Sequence, residues 1–257
     1  MPGTRVAPSS AESLRRFMSL AKTAYTIPVG RLAMRAADQT RPRASILLES
    51  RSPKFRRALA LLEKFAKHER VNVLLVGDSG TGKSAFARHL HDRSPRAGQV
   101  FHQVVLSAIS DGLTSSDLFG HVQGAFTDAH APRAGRFASA SGGTLFLDEI
   151  GKASAVVQHS LLDAVERREF TPVGADRSVR VDVRIVAATN VELRDLVDEG
   201  TFLPDLRQRL DVFTVRLPTL RERREDIHDL VEHLVDWHAP ELGYRRPPRI
   251  DPDLMGR

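Results

Sequence analysis

The residues with the clearest chemical potential form the segment "GDSGTGKS", from 77 to 84. Its fixed positions match the phosphate-binding pattern G-x-x-x-x-G-K-[ST], whose glycines let successive backbone N–H groups face an anion. In this pattern the lysine reaches the β- and γ-phosphates of a nucleoside triphosphate, and the hydroxyl after it binds Mg²⁺. The pattern therefore assigns Lys83 to the phosphates and Ser84 to the metal. The residues predicted to bind the nucleotide phosphates are Gly77, Asp78, Ser79, Gly80, Thr81, Gly82, Lys83 and Ser84.

Polar residues also follow two other apolar runs. "LFLDE" ends in Asp148 and Glu149, and "IVAATN" ends in Thr189 and Asn190. In an open α/β sheet, ligands bind beyond the carboxyl ends of the strands, so these side chains should face the phosphates. We expect Asp148 to hold Mg²⁺ through water and Glu149 to orient and deprotonate the attacking water. Thr189 and Asn190 would sense the γ-phosphate, and together the three strand ends predict a nucleoside triphosphatase site.

The elements that must position these residues alternate along the chain. Short apolar runs that predict strands lie at 71–77, 99–107, 143–150, 179–190 and 212–218. Apolar residues at helical spacing predict helices at 52–68, 83–93 and 154–170. Strands alternating with helices indicate an α/β fold, with a parallel sheet covered by helices on both faces.

Residues 118–137, "LFGHVQGAFTDAHAPRAGRF", show neither helical nor alternating spacing of apolar residues. The segment is interrupted by three glycines and carries Phe119 and Phe126 without a period that would bury them. We interpret it as a surface loop. Two explanations of Phe126 remain open at this point: an exposed anchor for a partner protein, or a ring packed under its own loop.

Composition limits the class of protein. A hydrophobic share of 41% and a charged share of 27% are typical of soluble globular proteins. With no cysteine, the chain has no disulfide, thiolate metal site or cysteine nucleophile. No apolar run is long enough to span a bilayer and no secretory signal is recognisable, so a cytoplasmic location and no membrane association are expected. The net charge of +6 permits contact with nucleic acid without requiring it.

Five segments together resemble a known family. "GDSGTGKS", "LFGHVQGAFT", "GGTLFLDEIG", "VGADRSVRVDVRIVAATN" and "RLPTLRERREDI" are similar to successive motifs of the sigma-54 interaction domain. This domain is the AAA+ ATPase module of bacterial enhancer-binding transcription activators. The resemblance implies a P-loop AAA+ sheet, ATP and Mg²⁺ as ligands, and a homo-oligomeric ring that is usually a hexamer. It also implies sigma-54 RNA polymerase holoenzyme as the partner.

The resemblance assigns two further groups of residues. In the family, a loop with the sequence GAFTGA touches sigma-54, and nucleotide turnover raises and lowers that loop. The matching residues are Gly124, Ala125, Phe126 and Thr127. The family motif F-R-x-D-L-x-x-R-L supplies two arginines to the γ-phosphate of the neighbouring subunit, and Arg209 matches the second of them.

Three positions depart from the family pattern. Asp128 replaces a glycine of the loop motif, which puts engagement of sigma-54 in question. Val105 replaces an asparagine that hydrogen-bonds the glutamate at position 149, and Gln103 or Ser107 is a possible substitute. Leu203 replaces the first of the two arginines.

Arg207, two residues before Arg209, is a possible replacement for the arginine missing at position 203, but on a helix it would point elsewhere, and we interpret it as a solvated surface residue. These departures keep open a degenerate relative that binds nucleotide with little turnover. A different P-loop machine, of helicase or chelatase type, is a third interpretation.

The resemblance also divides the chain into domains. We expect a basic, partly disordered extension over 1–45, the AAA+ α/β domain over 46–222, and the start of a truncated helical lid over 223–257. In the lid segment, Leu230, Leu234 and Trp237 have helical spacing. The later lid helices and the DNA-binding helix-turn-helix of the family have no counterpart in these residues, so DNA binding within this chain is not supported.

Overall fold

The computed structural model describes residues 49–106, 111–127 and 129–239. In chain order the helices are α1 (Pro53–Ala66), α2 (Lys83–Asp92), α3 (Asp111–Phe119), α4 (Arg136–Ser139), α5 (Ala155–Glu166), α6 (Leu193–Asp198), α7 (Pro204–Leu210) and α8 (Ile227–His238). The strands are β1 (Val73–Val76), β2 (Phe101–Val105), β3 (Gly120–His121), β4 (Arg133–Ala134), β5 (Thr144–Asp148), β6 (Glu169–Phe170), β7 (Val179–Arg180), β8 (Arg184–Thr189) and β9 (Phe213–Arg216). Short 3₁₀ turns lie at Ile150–Lys152 and Leu220–Asp226.

Five strands form one parallel sheet in the order β2-β5-β8-β1-β9. Each of them lies within a segment predicted to be a strand, and α1, α2 and α5 lie within the segments predicted to be helices. The predicted α/β class with a parallel, helix-flanked sheet is therefore confirmed. Because every strand runs in the same direction, the carboxyl ends of β1, β5 and β8 lie at one edge of the sheet.

Strand β1 shows how the two layers form. All four of its residues are buried, as expected for a central parallel strand. Val73 and Leu75 pack in one core cluster with α1 and α2, whereas Leu74 and Val76 join the cluster formed with α3, α5 and α7. Alternate side chains of a strand point to opposite faces, so a continuous apolar run here covers both sides of the sheet.

The helix predicted over 154–170 ends at Glu166, and Glu169 and Phe170 form β6 instead. Two other sequence predictions need correction. Residues 179–190 do not form one strand: β7 pairs with β6, and β8 joins the main sheet. The break lies at Asp182, whose carboxylate accepts two hydrogen bonds from Arg96 and whose carbonyl oxygen accepts from Gly142 N. These bonds hold the backbone of Asp182 away from strand pairing.

The second correction concerns residues 118–137, which are not a surface loop throughout. Phe119 ends α3, is 2% exposed, and stacks on Phe137 with ring centroids 5.3 Å apart. Between them β3 and β4 form an antiparallel pair. At Gly120, φ is +77° and a Cβ would lie 2.4 Å from the carbonyl oxygen of Arg133, so the residue must be glycine. The surface loop is thus the tip of a hairpin anchored in the core.

The N-terminus of α1 is held from a distant part of the sequence. Asp226, which is 2% exposed, accepts hydrogen bonds from the amides of Arg51 (2.7 Å) and Ser52 (3.2 Å) and from the Ser50 hydroxyl. The first N–H groups of a helix lack partners within the helix, and a negative charge near them is favourable. Asp226 therefore stabilises the start of α1.

The described residues up to Leu230 belong to one compact unit, and residues from Val231 onward belong to another. Helix α8 provides the described part of the predicted lid, within which Val235 is buried and Leu234 is exposed. The Trp237 side chain and the residues after 239 lie outside the described residues, as do residues 1–48. Among the helices of the described ranges, none combines the length and apolar character needed to cross a bilayer.

Candidate nucleotide site

The phosphate loop lies between β1 and α2, as its motif requires. Gly80 and Gly82 have φ of +83° and +98°, a region that glycine adopts without strain, and neither has another atom within 4 Å of the position of a Cβ. Gly82 is the N-cap of α2 and Lys83 its first residue. The loop therefore presents its backbone to open space in front of a helix N-terminus, where free N–H groups and the helix dipole favour an anion.

The Lys83 side chain folds back over this loop. Its Nζ donates to the carbonyl oxygens of Gly77 at 2.7 Å and Asp78 at 3.0 Å. Burial lowers the pKa of Lys83 from its ordinary value, while Asp148, Glu149 and Asp78 act in the opposite direction. Lys83 thus lies within electrostatic range of both carboxylates at the end of β5, as the sequence predicted for a common site.

Asp148 ends β5 and is partly buried. Burial raises the pKa of its carboxyl group, and the nearby charge of Glu149 adds to that effect; the N–H of Glu149, which donates to Asp148 Oδ1 at 3.0 Å, and the Lys83 ammonium oppose it. A carboxylate oxygen is a suitable ligand for Mg²⁺, which prefers hard oxygen donors. The hydroxyl of Ser84, the other predicted ligand, is exposed at the start of α2, and its binding of Mg²⁺ stays a prediction.

Glu149 has a backbone conformation unusual for its residue type, with φ 57° and ψ 41° in the left-handed region. Such a conformation costs on the order of 1–3 kcal/mol and is often found at functional sites. Lys152, three residues later, donates to its Oε2 at 3.1 Å. Sequence reasoning missed Lys152, although opposite charges three residues apart were the available signal.

The end of β8 is joined directly to the phosphate loop. Thr189 pairs in register with Val76, and its carbonyl oxygen accepts from the Gly77 amide at 3.1 Å. The Thr189 hydroxyl, however, is buried and exchanges hydrogen bonds with the backbone of Val191. Asn190 is exposed beside it. The structure therefore brings both residues to the site and leaves Asn190 as the accessible side chain.

The departure at Val105 lies next to this site. Val105 pairs in register with Asp148 and is 39% exposed. Gln103, one proposed substitute for the missing asparagine, lies opposite Phe146 in the same strand pair. Ser107, the other, lies outside the described residues. Replacement of the asparagine by either residue remains a prediction.

The arginines of α7 point in different directions. Arg209 Nε donates to Glu166 Oε1, at the end of α5, at 2.8 Å, and its side chain is mainly exposed. Arg207 Nη2 instead lies 3.7 Å from Asp211 Oδ2. This difference is expected, because Arg207 and Arg209 are two residues apart and lie on different faces of the helix. Leu203, where the family has an arginine, packs against the core beneath α7.

The GAFT residues, Gly124 to Thr127, occupy the tip of the β3–β4 hairpin. The tip is closed by hydrogen bonds from Gly124 N to Ala129 O and from Ala129 N to Phe126 O, both 2.9 Å. Phe126 is 38% exposed, so its ring is neither fully buried nor free. Asp128 lies outside the described residues.

Comparison with known proteins agrees with this geometry. The family model described as the Sigma-54 interaction domain matches residues 48–216. The Nif-specific regulatory protein of Herbaspirillum seropedicae is 50% identical over 182 residues, covering 69% of this chain and 34% of that protein. The DNA-binding transcriptional regulator NtrC of Escherichia coli (strain K12) is 50% identical over 173 residues, covering 67% of this chain and 37% of that protein.

Among solved structures, NtrX from Brucella abortus in complex with ADP aligns with a TM-score of 0.74 and 30% identity, covering 95% of this chain and 49% of that chain. A further NtrX structure, in complex with ATP, aligns with a TM-score of 0.73 and 29% identity, covering 96% of this chain and 52% of that one. The chain spans 34% and 37% of the lengths of the two curated relatives above. The predicted resemblance is confirmed, and the chain belongs to the sigma-54 interaction domain family.

Proposed function

We propose that this chain binds ATP with Mg²⁺ and hydrolyses it in a homo-oligomeric ring, and that turnover remodels sigma-54 RNA polymerase in the bacterial cytoplasm. The observation that best supports this proposal is the cluster of Lys83, Asp148 and Glu149 in front of an open, glycine-lined helix N-terminus. By family resemblance, the ring is expected to be a hexamer.

Each residue of this cluster, and each polar group beside it, has a proposed role. Lys83 and the backbone N–H groups of the phosphate loop bind the phosphates. Ser84 and Asp148 hold Mg²⁺, which when bound neutralises negative charge on the phosphate oxygens. Glu149 accepts the proton of the attacking water, and Asn190 hydrogen-bonds the γ-phosphate region. In the free protein the Glu149 carboxylate is paired with Lys152, whose ammonium group donates to Oε2.

Arg209 is proposed to act in trans on the nucleotide of the neighbouring subunit. In related nucleotide hydrolases, an arginine of this type raises the rate of hydrolysis by roughly 10³- to 10⁵-fold. In the single chain Arg209 is paired with Glu166, so ring formation has to separate the two side chains. Turnover should therefore depend steeply on protein concentration.

A test compares steady-state phosphate release by the 257-residue chain with that of Glu149→Gln across a range of protein concentrations. We expect cooperative release by the natural sequence and a loss of about 10²-fold or more in the variant, which retains ATP binding. Release that is independent of Glu149 would contradict the assignment of the general base.

A second candidate function is a degenerate module that binds nucleotide and docks on a partner with little turnover. It is favoured by the apolar side chains of Val105 and Leu203, at positions where the family has hydrogen-bonding residues. Tight ATP binding with no cooperative phosphate release at any protein concentration would support it over the first proposal.

The partner is tested separately. Capture of sigma-54 with ADP and a metal fluoride, which mimics the transition state, should require Phe126, and Phe126→Ala should abolish it. Leu61→Ala is the matched control, because Leu61 has nearly the same exposure, 37% against 38%, but lies on α1. Capture that survived Phe126→Ala would remove the proposed role of the loop.

A further inference from the structure

His121, the last residue of β3, makes three contacts that none of the roles above uses. Its Nδ1 lies 2.7 Å from the hydroxyl of Ser116 on α3, and its Nε2 lies 3.0 Å from the carbonyl oxygen of Ala131. Its ring meets the ring of Phe126 edge to face, with centroids 5.0 Å apart and an interplanar angle of 65°. The His121 side chain therefore contacts α3, the segment that leads into β4, and the exposed ring of Phe126.

The hydrogen bonds fix the orientation of the imidazole. A carbonyl oxygen only accepts, so Nε2 must carry a hydrogen and donate to Ala131. In the neutral ring Nδ1 then accepts from the Ser116 hydroxyl, and in the charged ring it donates to the same oxygen. In either protonation state the His121 ring is held at two opposite points and cannot rotate freely.

The orientation of Phe126 depends on that ring. The hydrogen bonds between Gly124, Phe126 and Ala129 close the backbone of the tip but do not restrain the Phe126 side chain. Edge-to-face contact between aromatic rings is a favoured, directional arrangement. With more than a third of its surface exposed, Phe126 has no enclosing pocket that would orient it instead.

We propose that His121 is the positioning residue for Phe126. It presents the ring for the protein partner by holding it against an imidazole that is itself fixed by Ser116 and Ala131. This inference rests on the proposed function of the loop and adds the residue that sets its binding geometry. Movement of α3 would then be transmitted to the ring of Phe126 through the Ser116–His121 hydrogen bond.

The first test measures the affinity of sigma-54 capture and the rate of phosphate release for two variants. His121→Gln retains hydrogen-bonding groups but removes the ring. It should weaken capture about 2- to 10-fold, which is the loss of affinity expected when one aromatic pair is removed. His121→Phe retains a ring but loses both hydrogen bonds, and should also weaken capture. Phosphate release should change less than about twofold in both, because His121 lies outside the proposed catalytic residues.

The same substitution in a Phe126→Leu background, which unlike Phe126→Ala keeps a large apolar side chain at the tip and so part of the capture, shows whether His121 acts through Phe126. If it does, His121→Gln should weaken the remaining capture by less than about twofold, since the aromatic pair is already absent. An equal loss in both backgrounds would overturn the proposal, and so would unchanged capture by His121→Gln in the natural background.

A partner-free measurement separates this inference from the proposed function. Phe126→Trp combined with Trp237→Phe places the only indole of the chain at the loop tip, because the natural sequence has a single tryptophan. Adding His121→Gln should lower the fluorescence anisotropy of that indole and shift its emission to the red. Unchanged anisotropy and emission would overturn the positioning role. If the natural chain captured no sigma-54, the proposed function would fail while this measurement still decided the inference.

Discussion

Replacing Asp148 by asparagine should make the free protein more stable while it removes hydrolysis. The amide oxygen of the new side chain can still accept the hydrogen bond from the Glu149 N–H, so the substitution mainly removes a charge. Burial is the largest influence on the Asp148 carboxyl and raises its pKa, and the attraction of Lys83 does not outweigh it. Relief of such an unfavourable charge at a functional site commonly stabilises a protein by about 0.5–2 kcal/mol.

The pH dependence of this gain has a definite sign. A carboxyl group whose folded-state pKa is raised favours the folded state at low pH, and this contribution is lost as the pH rises through the folded-state value. The ionised Asp148 therefore lowers stability at neutral pH. The advantage of Asp148→Asn should be largest near pH 8 and should shrink as the pH is lowered, when the natural side chain becomes protonated.

The assay is urea unfolding of both proteins without nucleotide, at several pH values from about 8 down to about 4, the ordinary range of an Asp carboxyl group. A gain of about 1 kcal/mol would also raise the thermal midpoint by roughly 2–4 °C in a domain of this size. In parallel, Mg²⁺-dependent phosphate release should fall about 10²-fold or more, because the carboxylate proposed to hold Mg²⁺ is lost.

Asp182→Asn is the matched control with the opposite sign. The Arg96 guanidinium donates two hydrogen bonds to the Asp182 carboxylate and lowers its pKa. Ionised Asp182 therefore contributes stability above its unfolded-state pKa, and the contribution is lost as the pH falls through the folded-state pKa. This variant should be less stable than the natural chain near pH 8. If Asp148→Asn were also less stable there, the reasoning about burial at Asp148 would be refuted.

Three further outcomes are expected. Glu166→Gln should release Arg209 from its cis ion pair and raise phosphate release by up to about fivefold, with a change in stability below about 1 kcal/mol for an exposed pair; slower release would show that the pair assists assembly. Leu203→Arg should increase turnover at saturating ATP, by restoring the first of the two family arginines; unchanged turnover would mean that Arg209 alone suffices. Gly120→Ala should lower the free energy of unfolding, measured in urea, by more than about 2 kcal/mol, because its Cβ would overlap backbone atoms. Gly124→Ala is the control, since Gly124 has a similar φ but open space around the Cβ position, and it should lower the free energy of unfolding by about 1 kcal/mol. Equal losses in the two variants would show that steric overlap is not the cause.

The sheet and the central cluster could be predicted because each depends on a short pattern of sequence. Lys83 is fixed at the start of a helix by the glycines before it, and Asp148 by the end of an apolar strand. The rule that ligands bind beyond the carboxyl ends of parallel strands then places the two side chains together without further information.

The parts that escaped prediction depend on contacts between distant residues. Helix α3 reads "DGLTSSDLF" and has no continuous apolar stripe, so the burial of Phe119 follows from Phe137 and Phe170 instead. The pairing of Arg209 with Glu166 joins residues 43 positions apart and is set by side-chain conformations. Patterns of residue type do not specify such contacts.

The carboxylate of Asp226 connects two segments that are far apart in the sequence. It accepts hydrogen bonds from amides 174 and 175 residues earlier in the chain, so one buried carboxylate joins an early and a late segment of the compact unit that ends at Leu230. In a version of the chain shortened ahead of Asp226, the Arg51 amide would lose the carboxylate, the Ser52 amide would keep only the Ser50 hydroxyl, and α1 would fray from its first turn. Slow hydrogen exchange at the amides of Arg51 and Ser52 would accordingly report that the Asp226 carboxylate is bound to them.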